Sequence, residues 1–225
     1  MRARILWLLA LLLYFDYSTS FLCTHFPKQV RLKVALQYDY FATTVDGLEK
    51  VLADEIVALP DVVSVEPSKC GVHFSGSKRT GLSGIMNLRT SLKLMELIGD
   101  HDHIATKDDL VRFVDDIDWS LMIDTNETVK VDTVQGLNLP PDLTHSFFTS
   151  LTVKNAIVDQ FRLRFGDRPG VSLDNAGLPL VLYLHRSTAS LYRVWSGCSS
   201  MHKRGYREDL TVHKAALRET TAAAM

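Results

Sequence analysis

"SFFTSLTVKNAIVDQFRLRFG", from Ser146 to Gly166, is the stretch of this sequence with the clearest helical pattern. Large side chains recur about one turn apart along it, from Phe147 through Phe161 to Phe165. Glycine readily takes the left-handed conformation in which many helices end. The spacing therefore predicts one helix over 146–165 that Gly166 ends.

The residues around this helix predict a small α/β unit that begins near Asp100. A second helix, capped by Thr106 or Asp108, is predicted to run to Asp116. Short apolar or alternating runs predict three strands, at 128–134, 178–185 and 190–195.

The residues before Asp100 predict a second unit with a different order of elements. A strand, a helix, a pair of strands, a helix and a last strand follow one another, at 38–43, 46–59, 62–65 with 72–74, 77–87 and 91–98. Lys69-Cys70-Gly71 is predicted to form the turn of the strand pair, and Leu82, Ile85 and Met86 to share one face of the second helix. This order is typical of a ferredoxin-like fold with helices on one face of the sheet.

Composition is that of a globular protein with one large domain or two small ones. The 225 residues are 46% hydrophobic and 23% charged, with a formal net charge of −1. Charge is unevenly placed: Asp100–Glu127 holds nine acids and two bases, whereas Lys154–Lys214 holds ten bases and five acids. This asymmetry allows a local interaction with an anionic partner, although solvated faces would also explain it. The three cysteines form no C-x-x-C spacing and predict no zinc site or disulfide framework.

The N-terminus has the organisation of a targeting sequence. Residues 1–20 resemble a signal peptide, with eleven apolar residues at 5–15 and a predicted cut after Ser20. Residues 21–37 are basic and free of acids, as in a transit peptide. We expect delivery to a plastid through a signal-plus-transit presequence, and no stable membrane span once the signal is cleaved. The alternatives are the secretory pathway and a membrane anchor formed by residues 5–15.

One short motif suggests metal chemistry. His101 and His103 could both ligate an ion if they lay on a strand, but the sequence supplies no predictable third ligand. A solvated loop between two units is the simpler interpretation. The alternative function built on this motif is a secreted or lumenal small α/β metal-dependent hydrolase. No complete catalytic constellation occurs in the sequence.

A set of basic residues in the second half is the candidate RNA-binding site. Cations contact RNA phosphates, and an aromatic ring among them can stack on a base. The candidates for phosphate contact are Lys154, Arg162, Arg164, Arg186, Lys203, Arg204 and Arg207, and Tyr206 is the candidate for stacking. Ordinary solvated charges remain the alternative.

Several motifs, in order, resemble those of one protein family. They are "YFATTVDGLEKVLADEI" (40–56), "GVHFSG" (71–76), "NLRTSLKLMELIG" (87–99), "DIDWS" (116–120), "SLTVKNAIVDQFRLRFGDRPGV" (150–171), "VLYLHRSTASLYRVWSG" (181–197) and "MHKRGYR" (201–207). Together they resemble the THUMP-domain RNA methyltransferases, more narrowly the large-subunit rRNA guanine-N2 methyltransferases of bacterial type. The resemblance extends over residues 38–225.

The resemblance implies an α+β architecture with three parts. Residues 38–100 would form a ferredoxin-like domain and residues 101–200 a THUMP domain, which together bind structured RNA. Residues 201–225 would form a linker and the first helix of a Rossmann-like methyltransferase domain whose remainder is missing from this sequence. Because that helix has no domain to pack on, we expect the last ten residues to be poorly anchored.

The resemblance also implies a function. Full-length members would use S-adenosylmethionine to methylate a guanine amine, whereas this chain holds no cofactor or catalytic residue of its own. We expect it to bind structured RNA, in particular large-subunit rRNA, and to be inactive alone. A methyltransferase domain could join it in cis or in trans.

Overall fold

The computed structural model describes residues 37–172, 175–205 and 216–225. The predicted targeting segments at 1–20 and 21–37, apart from Gln37, lie outside the described residues, as do Tyr206 and Arg207. Within the described ranges, no helix is long and apolar enough to cross a membrane.

The first half has the predicted order of elements. It contains β1 (Tyr38–Thr43), α1 (Glu49–Val57), β2 (Val62–Ser68), β3 (Gly71–Gly76), α2 (Lys78–Asn87) and β4 (Lys93–His101). The turn between β2 and β3 places Cys70 at a φ of +58°, so this residue takes the conformation of a tight hairpin turn. The last strand is longer than predicted and includes His101, which therefore does not lie in a loop.

The second half confirms the helix from which the prediction began. It contains α3 (Lys107–Asp115), β5 (Thr128–Gln135), α4 (Ser146–Phe165), β6 (Gly170–Val171), β7 (Leu178–His185) and β8 (Thr188–Val194). Helix α4 has the predicted limits, and Gly166 follows it with a φ of +73°. Single 3₁₀ turns lie at Trp119–Leu121 and Pro141–Leu143.

The eight described strands form one continuous sheet, in the order β2-β3-β1-β4-β8-β7-β5-β6. The two halves are joined by antiparallel pairing of β4 with β8, in which Glu96 lies opposite Arg193. In the second half β5 runs parallel to β7, with Thr133 opposite Leu182. The strands of both halves therefore share one hydrogen-bonded framework.

Helices α1 to α4 pack on one face of this sheet. In the first half, Leu52 and Ile56 of α1 are buried in a core that includes Leu94 of β4. In the second half, Ile157 of α4 is buried in a core that includes Leu182 of β7. Burial of such aliphatic side chains supplies the main favourable term in folding. A smaller cluster on the opposite face consists of Met95, Val181, Tyr192 and Val194.

The predicted apolar face of α2 is wrong at Leu82 and Met86, whereas Ile85 packs against the core of the first half. Leu82 is exposed, and Met86 exposes 76% of its surface. The buried side of the helix instead carries Thr80, Gly81 and Gly84. A side chain at Gly81 would place its Cβ 2.7 Å from the hydroxyl oxygen of buried Tyr40, so the sheet requires glycine here. The helix packs through small residues because a large aromatic side chain fills the space beneath it.

The C-terminal segment differs in part from the prediction. A short helix, α5, spans Glu219–Ala223, and its Thr220 is buried. The prediction that this segment is poorly anchored is therefore wrong at Thr220. Leu217 and Met225 are exposed, because a five-residue helix can turn only one side towards the body of the protein.

Candidate nucleic-acid interface

The structure separates Arg186 from two of the other predicted RNA-binding cations, Arg162 and Arg164. Arg186 lies in the turn between β7 and β8, whereas Arg162 and Arg164 lie in the last turn of α4. The beginning of α4 lies beside the end of β5, where the hydroxyls of Thr133 and Ser150 are 2.7 Å apart. A helix of 20 residues is about 30 Å long. Arg186 is therefore near one end of α4 and the two other arginines are at the opposite end.

The arginines in the last turn of α4 form exposed ion pairs. Arg164 pairs with Asp118 and donates to the hydroxyl of Ser120 at 3.1 Å, and Arg162 pairs with Asp159 at 3.2 Å. The hydroxyl of Ser120 and then the Arg164 guanidinium hold the pKa of Asp118 below its usual range. Exposed pairs of this kind are weak, so the assignment of both arginines to phosphate contact stays a prediction. Lys154, in the middle of the helix, is half-buried.

Arg204 has a structural role that the sequence did not reveal. Its guanidinium donates four hydrogen bonds, to the carbonyl oxygens of Ile85, Met86, Leu88 and Met201, at 3.1, 3.2, 2.6 and 3.0 Å. Three of these carbonyls belong to the end of α2, where a cation is favourable. A guanidinium has five N–H groups, so only one remains for a ligand. Its neighbour Lys203 is exposed.

We predict that Arg204→Ala lowers the free energy of unfolding by about 2 kcal/mol, because hydrogen bonds to a charged group contribute about 1.5–3 kcal/mol. Thermal denaturation should show a loss of about 4–8 °C in Tm. Lys203→Ala is the matched control and should leave Tm unchanged. Equal Tm values for the two variants would contradict the structural role of Arg204.

The end of the sheet that carries Arg186 exposes a group of aromatic and apolar side chains. We call this group, together with Arg186, the strand-end surface; it consists of Leu137, His145, Phe147, Phe148, Tyr183, His185 and Arg186. Phe147 and Phe148 expose 66% and 60% of their surface, and Leu137 is exposed as well. Large apolar side chains gathered on a surface indicate a binding site.

Backbone contacts fix the sheet side of this surface. After β5 ends, the Gly136 N–H donates to the Leu184 carbonyl at 2.7 Å, and the Arg186 N–H donates to the Leu137 carbonyl at 2.9 Å. The Leu137 N–H also donates to Nδ1 of His185 at 3.4 Å. A Cβ at position 136 would lie 2.6 Å from that nitrogen, so only glycine allows this approach. Arg186 is therefore presented from a rigid turn.

The first turn of α4 forms the helical side of the strand-end surface. The Gln135 side chain donates to the Leu143 carbonyl at 2.9 Å and holds the preceding loop to the end of β5. The turn contains no acidic residue, and His145 makes no side-chain capping bond. The N–H groups at a helix N-terminus attract phosphate, and exposed aromatic rings stack on bases. The ring centroids of Phe147 and Phe148 are 5.7 Å apart.

The sequence contained signals for these residues that the prediction missed. Phe147 and Phe148 are adjacent in the helix and point about 100° apart, so they cannot both follow a core-facing stripe. On β7, Tyr183 and His185 alternate with Leu182 and Leu184 and therefore lie on the other face of the sheet. Their rings are nearly parallel, with centroids 6.4 Å apart. The strand-end surface therefore has two sides, with Phe147 and Phe148 on the face that carries α4 and with Tyr183 and His185 on the opposite face.

The alternative metal site at His101 and His103 is not supported. The ring of His101 packs against Phe113, with centroids 5.9 Å apart, whereas His103 lies in the loop beyond β4 with a φ of +73°. Among the described residues, a different group brings three possible ligands together, namely Asp46, Glu49 and Cys70. The Glu49 carboxylate accepts hydrogen bonds from the N–H groups of Gly47 and Cys70. These bonds stabilise the turns, so the position of Glu49 needs no metal ion to explain it.

The protein is an α/β module of two halves that share one sheet, and its second half carries the strand-end surface. Residues 39–95 match the RlmL ferredoxin-like domain, and residues 105–194 match the THUMP domain. The chain thus contains an RlmL ferredoxin-like domain followed by a THUMP domain, as the resemblance in its sequence implied.

Two curated relatives give the extent of this similarity. The ribosomal RNA large subunit methyltransferase K/L of Syntrophotalea carbinolica is 33% identical over 186 residues, which are 83% of this chain and 25% of that protein. A Synechocystis protein provisionally named as an RNA methyltransferase is 36% identical over 187 residues, which are 83% of this chain and 46% of that protein. The chain thus spans a quarter to a half of these relatives.

A solved structure supports the fold. The crystal structure of a Listeria monocytogenes protein, described as a predicted N6-adenine-specific DNA methylase, superposes with a TM-score of 0.71. It is 23% identical, and the match covers 84% of this chain and 47% of that one. Similarity at this level establishes the shared fold.

Proposed function

We propose that this chain is the RNA-recognition part of an S-adenosylmethionine-dependent rRNA guanine-N2 methyltransferase, and that alone it binds structured RNA without methylating it. The observation that carries the proposal is the THUMP match at 105–194, in a chain similar to a large-subunit rRNA methyltransferase. A catalytic domain, joined in cis or in trans, would supply the methyl transfer.

The strand-end surface offers the chemistry that such binding needs. Bases splayed out of a loop or bulge would stack on Phe147 and Phe148 on the helix side of the sheet and on Tyr183 on the opposite face, while the Arg186 guanidinium and the N-terminus of α4 would contact phosphates. Sequence-specific proteins bind RNA mostly at such unpaired bases. The substrate expected from this arrangement is therefore a folded RNA with an exposed loop, and large-subunit rRNA is the source that the relatives suggest.

The described residues do not fit S-adenosylmethionine. Cofactors of Rossmann-like domains lie beyond the carboxyl ends of parallel strands, above a glycine-rich turn. Here β5 and β7 are parallel, but β5 leads into Gly136-Leu137-Asn138, and Gly136 is packed against His185. Cofactor binding would belong to the methyltransferase domain.

Fluorescence anisotropy with labelled fragments of large-subunit rRNA tests the proposal. The chain should bind a fragment with a loop more tightly than a fully paired duplex of the same length, and binding should weaken as salt rises because phosphate contacts release counterions. A parallel assay with radiolabelled S-adenosylmethionine should show no methyl transfer to the bound RNA. Absence of measurable affinity at low salt would refute the proposal.

A further inference from the structure

A groove lies at the other end of α4, away from the strand-end surface. It has a volume of about 590 Å³ and lies between the last turns of α4 and the segment that follows Trp119. Its apolar lining includes Leu121, Met122, Phe161 and Phe165, and its acidic lining consists of Asp124, Glu127 and Asp167. We call it the acid-rimmed groove. Its volume is within the range of small-ligand and peptide sites.

The apolar part of the groove continues the core outwards. Phe161 is buried, and its ring centroid lies 5.6 Å from that of exposed Phe165. Leu121, on the opposite wall, exposes 82% of its surface. Two large apolar side chains thus face water next to a buried aromatic ring. Such an arrangement gains free energy when a partner covers it.

The wall of the groove is held in place by side chains of α4. The Gln160 amide donates to the carbonyls of Asp115 and Ile117 at 3.1 and 2.9 Å, and its oxygen accepts the Trp119 N–H at 3.1 Å. Arg164 fixes the same wall through Asp118 and Ser120. The groove is therefore formed before a partner arrives, which reduces the entropy lost on binding.

Charge decides which partner the groove can take. Its lining carries three carboxylates and neither lysine nor arginine. Two of these carboxylates, Asp124 and Glu127, come from the acid-rich stretch Asp100–Glu127. RNA binding does not explain why that stretch is acidic. Like charges repel, so the carboxylates disfavour phosphate groups of RNA inside the groove. Among the described residues, the side chains close enough to share one metal ion are Asp46, Glu49 and Cys70, and none of the three groove carboxylates belongs to that group. The groove carboxylates therefore suit separate cationic side chains better than a single metal ion.

We propose that the acid-rimmed groove binds a cationic apolar segment of a partner protein. Leucine-like side chains of that segment would cover Leu121 and Phe165, and its lysines or arginines would pair with Asp124, Glu127 and Asp167. Because the groove and the strand-end surface lie at opposite ends of α4, about 30 Å apart, both can be occupied together. The chain can then hold RNA at one end and a basic protein at the other.

The test uses the full chain and a defined probe. A fluorescein-labelled twelve-residue peptide of alternating lysine pairs and leucine pairs is titrated with the chain, and a peptide with glutamate in place of lysine serves as the probe control. The groove variant combines Asp124→Asn, Glu127→Gln and Asp167→Asn, which keep the hydrogen-bonding oxygens. The matched variant combines Asp102→Asn, Asp108→Asn and Asp116→Asn, three exposed acids outside the groove, and changes net charge equally.

The lysine peptide should bind, and the groove variant should bind it about tenfold more weakly, since three exposed ion pairs together contribute about that factor. The matched variant should bind within about twofold of the wild-type chain. A single Leu121→Ser variant should also weaken binding, and all variants should keep their circular dichroism spectra. Equal weakening of the two triple variants would show general charge attraction and overturn the proposal. A groove variant that changes RNA affinity but leaves peptide affinity unchanged would overturn it as well.

Discussion

Replacing Trp119 with alanine should lower the free energy of unfolding by about 3–5 kcal/mol, which is the usual cost of removing a large buried aromatic side chain. Trp119 is fully buried in the core of the second half. Its indole N–H donates to the Val114 carbonyl at 3.0 Å, so truncation also removes this buried hydrogen bond, although the Ile117 N–H still donates to the same oxygen at 3.2 Å. The residue connects α3, the following 3₁₀ turn and α4.

Urea denaturation followed by circular dichroism measures this effect, since the fluorescence of Trp119 is lost in the variant. Leu121→Ala is the control, because this residue lies two positions away and is exposed. It should change the free energy of unfolding by less than about 0.5 kcal/mol. A loss below about 1 kcal/mol for Trp119→Ala would contradict the description of this core.

Replacing both Phe147 and Phe148 with alanine should weaken RNA binding about 100-fold, because stacking contributes about 1–3 kcal/mol per base. Both side chains are exposed, so the folded structure should lose little stability. Anisotropy titration with an rRNA loop fragment measures the effect. Leu163→Ala provides the matched control, since it removes an exposed apolar side chain from the other end of the same helix.

Arg186 should affect RNA binding in a different way. Arg186→Gln should lower affinity by a similar factor for every RNA sequence and reduce the slope of log K against log salt by about 1, as expected for one lost phosphate contact. The double phenylalanine variant should leave that slope unchanged. Identical salt slopes for wild type and Arg186→Gln would show that Arg186 does not contact phosphate.

Local patterns predicted the elements but not the way in which they pack. Helix α4 was predicted with its limits because its spacing and Gly166 both act within a few residues. The pairing of β4 with β8 joins Glu96 to Arg193, almost a hundred residues away, and no local pattern encodes it. The buried face of α2 depends on Tyr40, a residue of another strand, and so the prediction chose the larger side chains of Leu82 and Met86.

The candidate site shows the same limit. Cations between residues 154 and 207 were predicted to act together, but the length of α4 separates Arg162 from Arg186, and backbone carbonyls engage Arg204. The aromatic rings at the strand-end surface come from the first turn of a helix and from one strand. Sequence order does not show that they reach the same end of the sheet, because α4 lies against β5 and β5 pairs with β7, whose rings point to the opposite face.

The most direct test of RNA recognition at the strand-end surface is ultraviolet crosslinking of the chain to a bound large-subunit rRNA fragment, followed by mass spectrometry of the crosslinked peptides. Stacked aromatic side chains crosslink to the bases they touch, so the account predicts crosslinks in the peptides that contain Phe147, Phe148 and Tyr183. Crosslinks confined to the other end of α4, in the peptide that contains Phe165, would contradict it.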